Sequence, residues 1–260
     1  MFAPIGRTTI SFLEYLGELA KLFAETVRSM VPSRIRWRLV LNQLLEMGAR
    51  SQLVVIVTGA FTGAVFAAQT YFQFHKLGME SAVGSVVSIS LFRELGPVLT
   101  GLMVAGRVGA SIAAEIGTMK VTEQVDALRC LGVHPVDYLV VPRMIAMMVA
   151  MPLLAAECCG FGVLVSHFVG VNLMGIPAAP FDNNLIHWTK LKDVLMTLIK
   201  AFAFGLAIVT VSCHQGLKAE NGAAGVGRAP TEAVVIGSLA VLGVNFILTF
   251  ALNILFASIE

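Results

Sequence analysis

The chain has 260 residues, 57% hydrophobic and 13% charged, with a mean hydropathy of +0.84. A soluble domain is nearer half apolar and a quarter charged, so this is the composition of a polytopic membrane protein, with room for about five spans of ~20 residues. A net charge of +2 gives no case for nucleic acid, and four cysteines without metal-ligand spacing give none for a metal or a disulfide framework. The N-terminus lacks a basic start followed at once by a short apolar stretch, so no cleaved signal peptide is expected.

Residues 4–31 place Phe12, Leu16, Leu19, Phe23, Val27 and Met30 on one helical face, with Arg7, Glu14, Glu18, Lys21, Glu25 and Arg28 around the rest. The charges are too many for a span and the stripe is too regular for a loop. An interfacial amphipathic helix is expected, with a soluble helix docked on a partner as the alternative. Pro32 ends it, and Arg34, Arg36 and Arg38 form a basic cluster suited to anionic headgroups.

A first span is expected at about 53–74. Gly59-x-x-x-Gly63 permits close backbone approach. The same stripe carries Phe66, Thr70, Gln73 and Leu77, so its polar members turn toward protein or a cavity; ordinary helix packing is the alternative. A short polar turn over 75–81 leads to a second span at about 82–105. Arg93 and Glu94 sit near its middle, where a charge costs on the order of 3 kcal/mol. Pro97 removes the N–H that would bond the Arg93 carbonyl, which predicts a kink. The two charges are read as lining a cavity, and otherwise as an ion pair tying helices together.

Ala105, Gly109, Ala113 and Gly117 form a small-residue ridge as the chain leaves the membrane. Thr118 is placed as the cap of a short amphipathic helix over 118–131, stopped by Gly132 and Pro135. By itself such a helix is usually a solvated connector. A third span is expected at about 138–168, with Pro152 and Glu157 inside it; the acid serves either packing or function. Residues 170–192 read as an unusually apolar loop. The fourth span, about 194–212, carries Lys200, which either snorkels to nearby headgroups or answers Glu94. Residues 213–230 read as a Gly-rich connector. The fifth span, about 233–256, has Asn245 as its central polar residue.

With the N-terminus inside, thirteen Lys and Arg fall on the cytoplasmic side and three (Lys76, Lys190, Lys192) outside. This positive-inside bias predicts a cytoplasmic N-terminus, a periplasmic C-terminus and a cytoplasmic 118–131 helix. No nucleophile elbow, HExxH or Walker A motif is present, so no catalytic residue is assigned and the chain is not expected to be an enzyme.

The stretch LFRELGPVLTGLMVAGRVGASIAAEIGTMKVTEQVDALRCLGVHP, over 91–135, resembles the MlaE/YrbE permease family, the membrane subunit of lipid-transporting ABC systems that work with MCE proteins. The resemblance covers nearly the whole chain. It implies a single permease domain of all-α class in a bacterial inner membrane, with an interfacial helix and five spans. It further implies a homodimer with a lipid cavity between the copies and a cytoplasmic ABC ATPase pair that uses ATP and Mg. A STAS-domain subunit on that ATPase, a hexameric periplasmic MCE protein and a phospholipid substrate complete the set; the chain itself binds no cofactor or metal. Carried over, Glu115, Gly117, Met119, Lys120, Thr122, Glu123, Gln124, Asp126 and Leu128 face the ATPase through the coupling helix. Phe66, Thr70, Gln73, Leu77, Arg93, Glu94, Leu95, Lys200 and Asn245 line the lipid cavity. Some family members carry Asp where this chain has Asn245, which removes one charge. Two other classes stand beside this one: an ion-coupled secondary transporter using Glu94 or Glu157, and a passive anchor for an MCE ring.

Overall fold

The computed structural model describes residues 3–30, 36–220 and 222–257, with side chains from Thr9 onward except at residues 12 and 257. Arg34 and Pro32 lie outside the described residues, and the side chains of Arg7 and Phe12 do too. Among the described residues the chain is all helix: α1 Ala3–Met30, α2 Trp37–Met47, α3 Gln52–His75, α4 Val83–Ser90, α5 Gly96–Val104, α6 Ala110–Val121, α7 Gln124–Cys130, α8 Val141–Phe168, α9 Ala178–Trp188, α10 Leu191–Leu217 and α11 Ala223–Ala257. Five continuous helices are long and apolar enough to cross a membrane: Trp37–His75, Glu80–Val121, Val136–Leu173, Leu191–Leu217 and Ala223–Phe256.

Several of these exceed the expected spans, for local reasons. The expected 53–74 segment is α3, and the continuous helix that holds it starts earlier, at Trp37, because α2 buries Val40 and Met47 and continues through one 3₁₀ turn, Ala49–Ser51. Arg36 precedes it, with its guanidinium 5.0 Å from the centre of the Tyr138 ring. The second helix does not stop at 105. It runs on through α6 to Val121, making 42 residues and about 60 Å. That is about twice the hydrocarbon thickness, so one end stands well clear of the bilayer.

Thr118 is not a cap. It lies inside α6, and its hydroxyl donates to the carbonyl of Ala114. The expected 118–131 helix is therefore two pieces. Thr122 and Glu123 form the break, and Glu123 adopts φ +60°. The expected 170–192 loop contains α9, whose Phe181 is fully buried against Gly84, Gly170 and the His167 ring. The apolar residues that look excessive for a loop form a helix face. The Gly-rich connector shrinks to about 218–222, because α10 and α11 extend toward it from both sides.

Two apolar clusters organise the packing. The larger unites α8 and α10 with α6, through Met144, Met147, Met151, Phe204, Ile208 and Ile112. The smaller gathers Val83, Val87, Leu91, Val169, Ile176 and Phe181 at the opposite end. Gly59 and Gly63 put α3 against α8 at backbone contact: a Cβ on Gly59 would meet Cys158 O, and one on Gly63 would meet Gly162 O. The ridge residues Ala105, Gly109, Ala113 and Gly117 are all buried. Gly109 faces Ser212, and Gly117 faces Ala219 and Ala229.

The glycine seam between α3 and α8 generates a test. Gly63→Ala places a methyl into a backbone carbonyl, an overpacking cost of about 1–3 kcal/mol or more. Gly160→Ala enters open space. Thermal unfolding of the purified chain in detergent should fall by several degrees for Gly63→Ala and stay unchanged for Gly160→Ala. Equal midpoints would refute the close seam.

Candidate functional site

The site begins with a defect in the second helix. Residues Leu91–Leu95 form a π-helical turn, in which the Gly96 N–H reaches back to Leu91 O. Pro97 follows and has no N–H to offer Arg93 O. In a membrane each backbone acceptor without a partner is costly, so other groups must serve this turn. Side chains serve three successive carbonyls, the first of which also accepts from Gly96 N–H. The Cys159 thiol donates to Leu91 O at 3.5 Å, the Thr197 hydroxyl to Phe92 O, and Lys200 Nζ to Arg93 O at 2.7 Å.

Lys200 uses all three of its protons. Beyond Arg93 O, it donates to Glu94 Oε1 at 2.8 Å and to Thr249 Oγ1 at 2.7 Å. Thr249 passes its own proton to Glu94, and Asn245 Nδ2 donates to Glu94 Oε2 at 3.0 Å. Arg93 Nε meets Asp193 Oδ1 at 2.6 Å. Asp193 is held in turn by the backbone N–H of Lys190 at 2.9 Å, in the first turn of α10. Lys200 and Asp193 are fully enclosed at 1% and 0% side-chain exposure, whereas Arg93 and Glu94 keep 33% and 40%. The arrangement is two ion pairs, each with one partner sealed in protein and one open.

The structure thus brings together four of the expected cavity residues: Arg93, Glu94, Lys200 and Asn245. Lys200 answers Glu94 and does not snorkel. Phe66 and Leu95 share the smaller apolar cluster nearby. Thr70 spends its hydroxyl on Phe66 O, and Gln73 and Leu77 stand exposed at the end of α3. Asp193, Thr197 and Thr249 are members that the sequence reading missed. Thr197 and Lys200 are one helical turn apart, and Asp193 one further turn back, so the polar stripe of α10 was available as a signal. Glu157 receives a bond from Gln52 Nε2 at 3.2 Å and lies outside this cluster.

At the opposite end of the second helix, Thr122, Glu123 and Gln124 are exposed. Lys120 Nζ reaches Asp126 at 3.0 Å and Arg129 reaches it at 3.0 Å, locking α7 onto the end of α6. The Lys120 hydrogen bond holds the Asp126 carboxyl below its ordinary range. Met119 and Leu128 are half-buried, and Val125 anchors α7 inward. Gly117 is buried, whereas Glu115 is half exposed and pairs at 2.7 Å with Arg143, a side chain only 4% exposed. Helix α1 docks beside this end: Glu18 bonds Lys218 at 3.0 Å and His214 at 3.1 Å, and Glu25 lies 3.2 Å from His134. The Lys218 hydrogen bond holds the Glu18 carboxyl below its usual value.

Lys200→Met removes the latch on Arg93 O and leaves Glu94 with the Thr249 and Asn245 donors but without its cation. Its expected cost is on the order of 2–3 kcal/mol. Lys200→Met with Glu94→Gln should recover part of that loss, because no uncompensated carboxylate remains. Unfolding midpoints of the two single variants and the double variant measure the coupling; additive losses would contradict the pair.

The Permease MlaE family model matches residues 40–251. A "Probable ABC transporter permease protein" from Rickettsia felis is 44% identical over 94% of this chain and 95% of its own length. The "Protein TRIGALACTOSYLDIACYLGLYCEROL 1, chloroplastic" of Arabidopsis thaliana is 36% identical over 86% of this chain and 64% of its own. The "Intermembrane phospholipid transport system permease protein MlaE" of Haemophilus influenzae is 33% identical, over 95% of both chains. With a matching family model over most of its length and relatives aligned nearly end to end, the chain belongs to the MlaE permease family.

Proposed function

We propose that the chain is the permease subunit of an ABC-type transporter that moves phospholipid between an inner and an outer membrane. The names of its relatives in Rickettsia felis and Haemophilus influenzae support the class and the substrate. One observation carries the mechanism. A single helix, Glu80–Val121, contains the charged π-turn and ends at the exposed tip formed by Thr122–Cys130. Arg93 lies about 40 Å along that helix from Val121.

In this reading two copies of the chain enclose a lipid cavity. Arg93 and Glu94 meet the headgroup, and Phe66, Leu95 and neighbouring apolar residues meet the acyl chains. A cytoplasmic pair of ABC ATPases, with ATP and Mg, engages α7 through Thr122, Glu123, Gln124 and the outer faces of Met119 and Leu128. Nucleotide binding closes the ATPase pair and displaces α7. The small-residue ridge, packed on α10 and α11, carries the motion to the π-turn. The cavity narrows, and lipid passes to a hexameric MCE protein in the periplasm. A STAS-domain subunit sits on the ATPase. Helix α1 lies in the cytoplasmic interface, with Ile10, Leu13, Leu16 and Val27 exposed to lipid. The N-terminus is cytoplasmic and the C-terminus periplasmic in this reading, which the positive-inside bias of the loops supports.

Co-expression with the neighbouring genes, followed by purification on the chain, tests this reading. Wild type should bring down an ATPase, and Glu123→Lys should lose it while the chain itself still folds. A chain that purifies without an ATPase yet moves lipid under a proton gradient would establish secondary transport instead.

A further inference from the structure

We infer that Arg143 is a positioning residue for energy coupling: its sealed guanidinium holds Glu115 of the second helix and ties the moving tip to α8. The inference rests on the transporter reading above and adds a second route from the tip to the charged turn.

The entry of α8 repeats the construction of the charged turn. Residues Val136–Val140 form a π-helical turn, in which the Val141 N–H reaches back to Val136 O. Pro142 follows and has no N–H to offer Tyr138 O. A buried cation then serves the turn: Arg143 Nη1 donates to Leu139 O at 2.7 Å. Its Nη2 meets Glu115 Oε2, also at 2.7 Å. As with Lys200 and Glu94, the cation is sealed and the carboxylate is open; Arg143 keeps 4% exposure and Glu115 50%. Both carboxylates belong to the second helix, about 30 Å apart along it.

The contact is half of what a guanidinium offers a carboxylate. Nε and Nη2 share one edge, which a carboxylate can occupy with both oxygens. Nη2 is used, whereas Nε is buried without a hydrogen-bond partner. A buried donor left unmet is costly. The other charges lining the cleft beside Glu115 are Glu46, Arg50 and Arg107. Glu46 is held by Arg50 at 3.1 Å, so Glu115 is the carboxylate placed to supply the missing acceptor. A small shift of Glu115 toward α8 brings its Oε1 onto Nε and closes the fork. The pair thus has a second arrangement, in which the end of α6 stands closer to α8.

The far end of α8 gives that shift a destination. Glu115 lies in the last turns of the second helix before the tip. Cys159, further along α8 from Arg143, donates to Leu91 O in the charged turn. Helix α8 therefore holds the second helix at two places, beside the tip and at the π-turn. A displacement of the tip reaches the charged turn through α8 as well as along the second helix itself.

The test uses the chain with the subunits that co-purify with it, reconstituted in vesicles carrying labelled phospholipid, and reads phospholipid moved per ATP hydrolysed. Lysine keeps the charge of Arg143 and lacks the forked edge. Arg143→Lys should fold and retain the ATPase, yet lose about fivefold in lipid moved per ATP, the scale on which substitutions along a packed path alter coupling. Arg143→Met should lose more. A purely structural tie would lower the unfolding midpoint and leave the ratio alone, so an unchanged ratio in Arg143→Lys overturns the inference while the transport reading stands. Loss of the ATPase from Arg143→Lys also overturns it, by placing the pair in the docking surface. A wild-type complex that hydrolyses ATP and moves no lipid overturns the transport reading, and this inference with it. Should Arg143→Met fail to fold, Arg143→Lys alone decides the point.

Discussion

The bond from Lys200 Nζ to the carbonyl of Arg93 is the constraint around which the rest is arranged. Pro97 strips that carbonyl of its helical partner, and the membrane offers it no water. An ammonium at this depth is itself expensive, and it is tolerated because three acceptors enclose it. Each defect answers the other. Because the acceptors come from the second helix and from α11, while the ammonium comes from α10, three spans meet at one atom. The neighbouring Thr197 and Cys159 serve the preceding two carbonyls, so α8 joins them.

This arrangement makes the second helix stiff at one end and adjustable at its centre. A π-turn is a common place for a helix to change its pitch or direction, and frequently lies at a functional site. A second π-turn, Ala105–Gly109, stands at the start of the small-residue ridge. Below it, Gly109 and Gly117 bring α6 close to α10 and the start of α11. Helix α10 therefore touches the second helix at both ends, through ion pairs at Asp193 and Lys200 and through steric contact at Ser212 and Gly216. A displacement of the exposed tip crosses the Thr122–Glu123 break, which the Lys120–Asp126 pair spans, and then meets a tightly packed helix leading to the charged turn.

Much of this was legible from residue types. The five apolar spans, the glycine seam of the first, the helical ridge after the second and the unusual Arg93–Glu94–Pro97 combination are local patterns with local causes. What escaped is non-local. Nothing around Lys200 says whether it points to headgroups or inward, and only the packing of α10 on the second helix decides it. Asp193 reads as the polar edge of a loop until α10 is seen to begin at Leu191. The apolar stretch near 181 resembles an interfacial loop because its helix buries one face on α4, a partner about 100 residues away in sequence. Thr118 reads as a cap from its neighbours, yet α6 continues past it because the ridge remains buried through Gly117. Glu115 stands half exposed as its residue type suggests, and only the packing of α8 shows that it also pairs with the buried Arg143.

The most direct test of the account is backbone hydrogen exchange along Glu80–Cys130 in the reconstituted complex, with and without a trapped nucleotide on the ATPase. If the tip and the charged turn are one mechanical unit, nucleotide should change exchange in both 122–130 and 91–100, and Lys200→Met should abolish the change at 91–100 while leaving that at 122–130. A nucleotide response confined to 122–130 in the wild type would contradict the coupling.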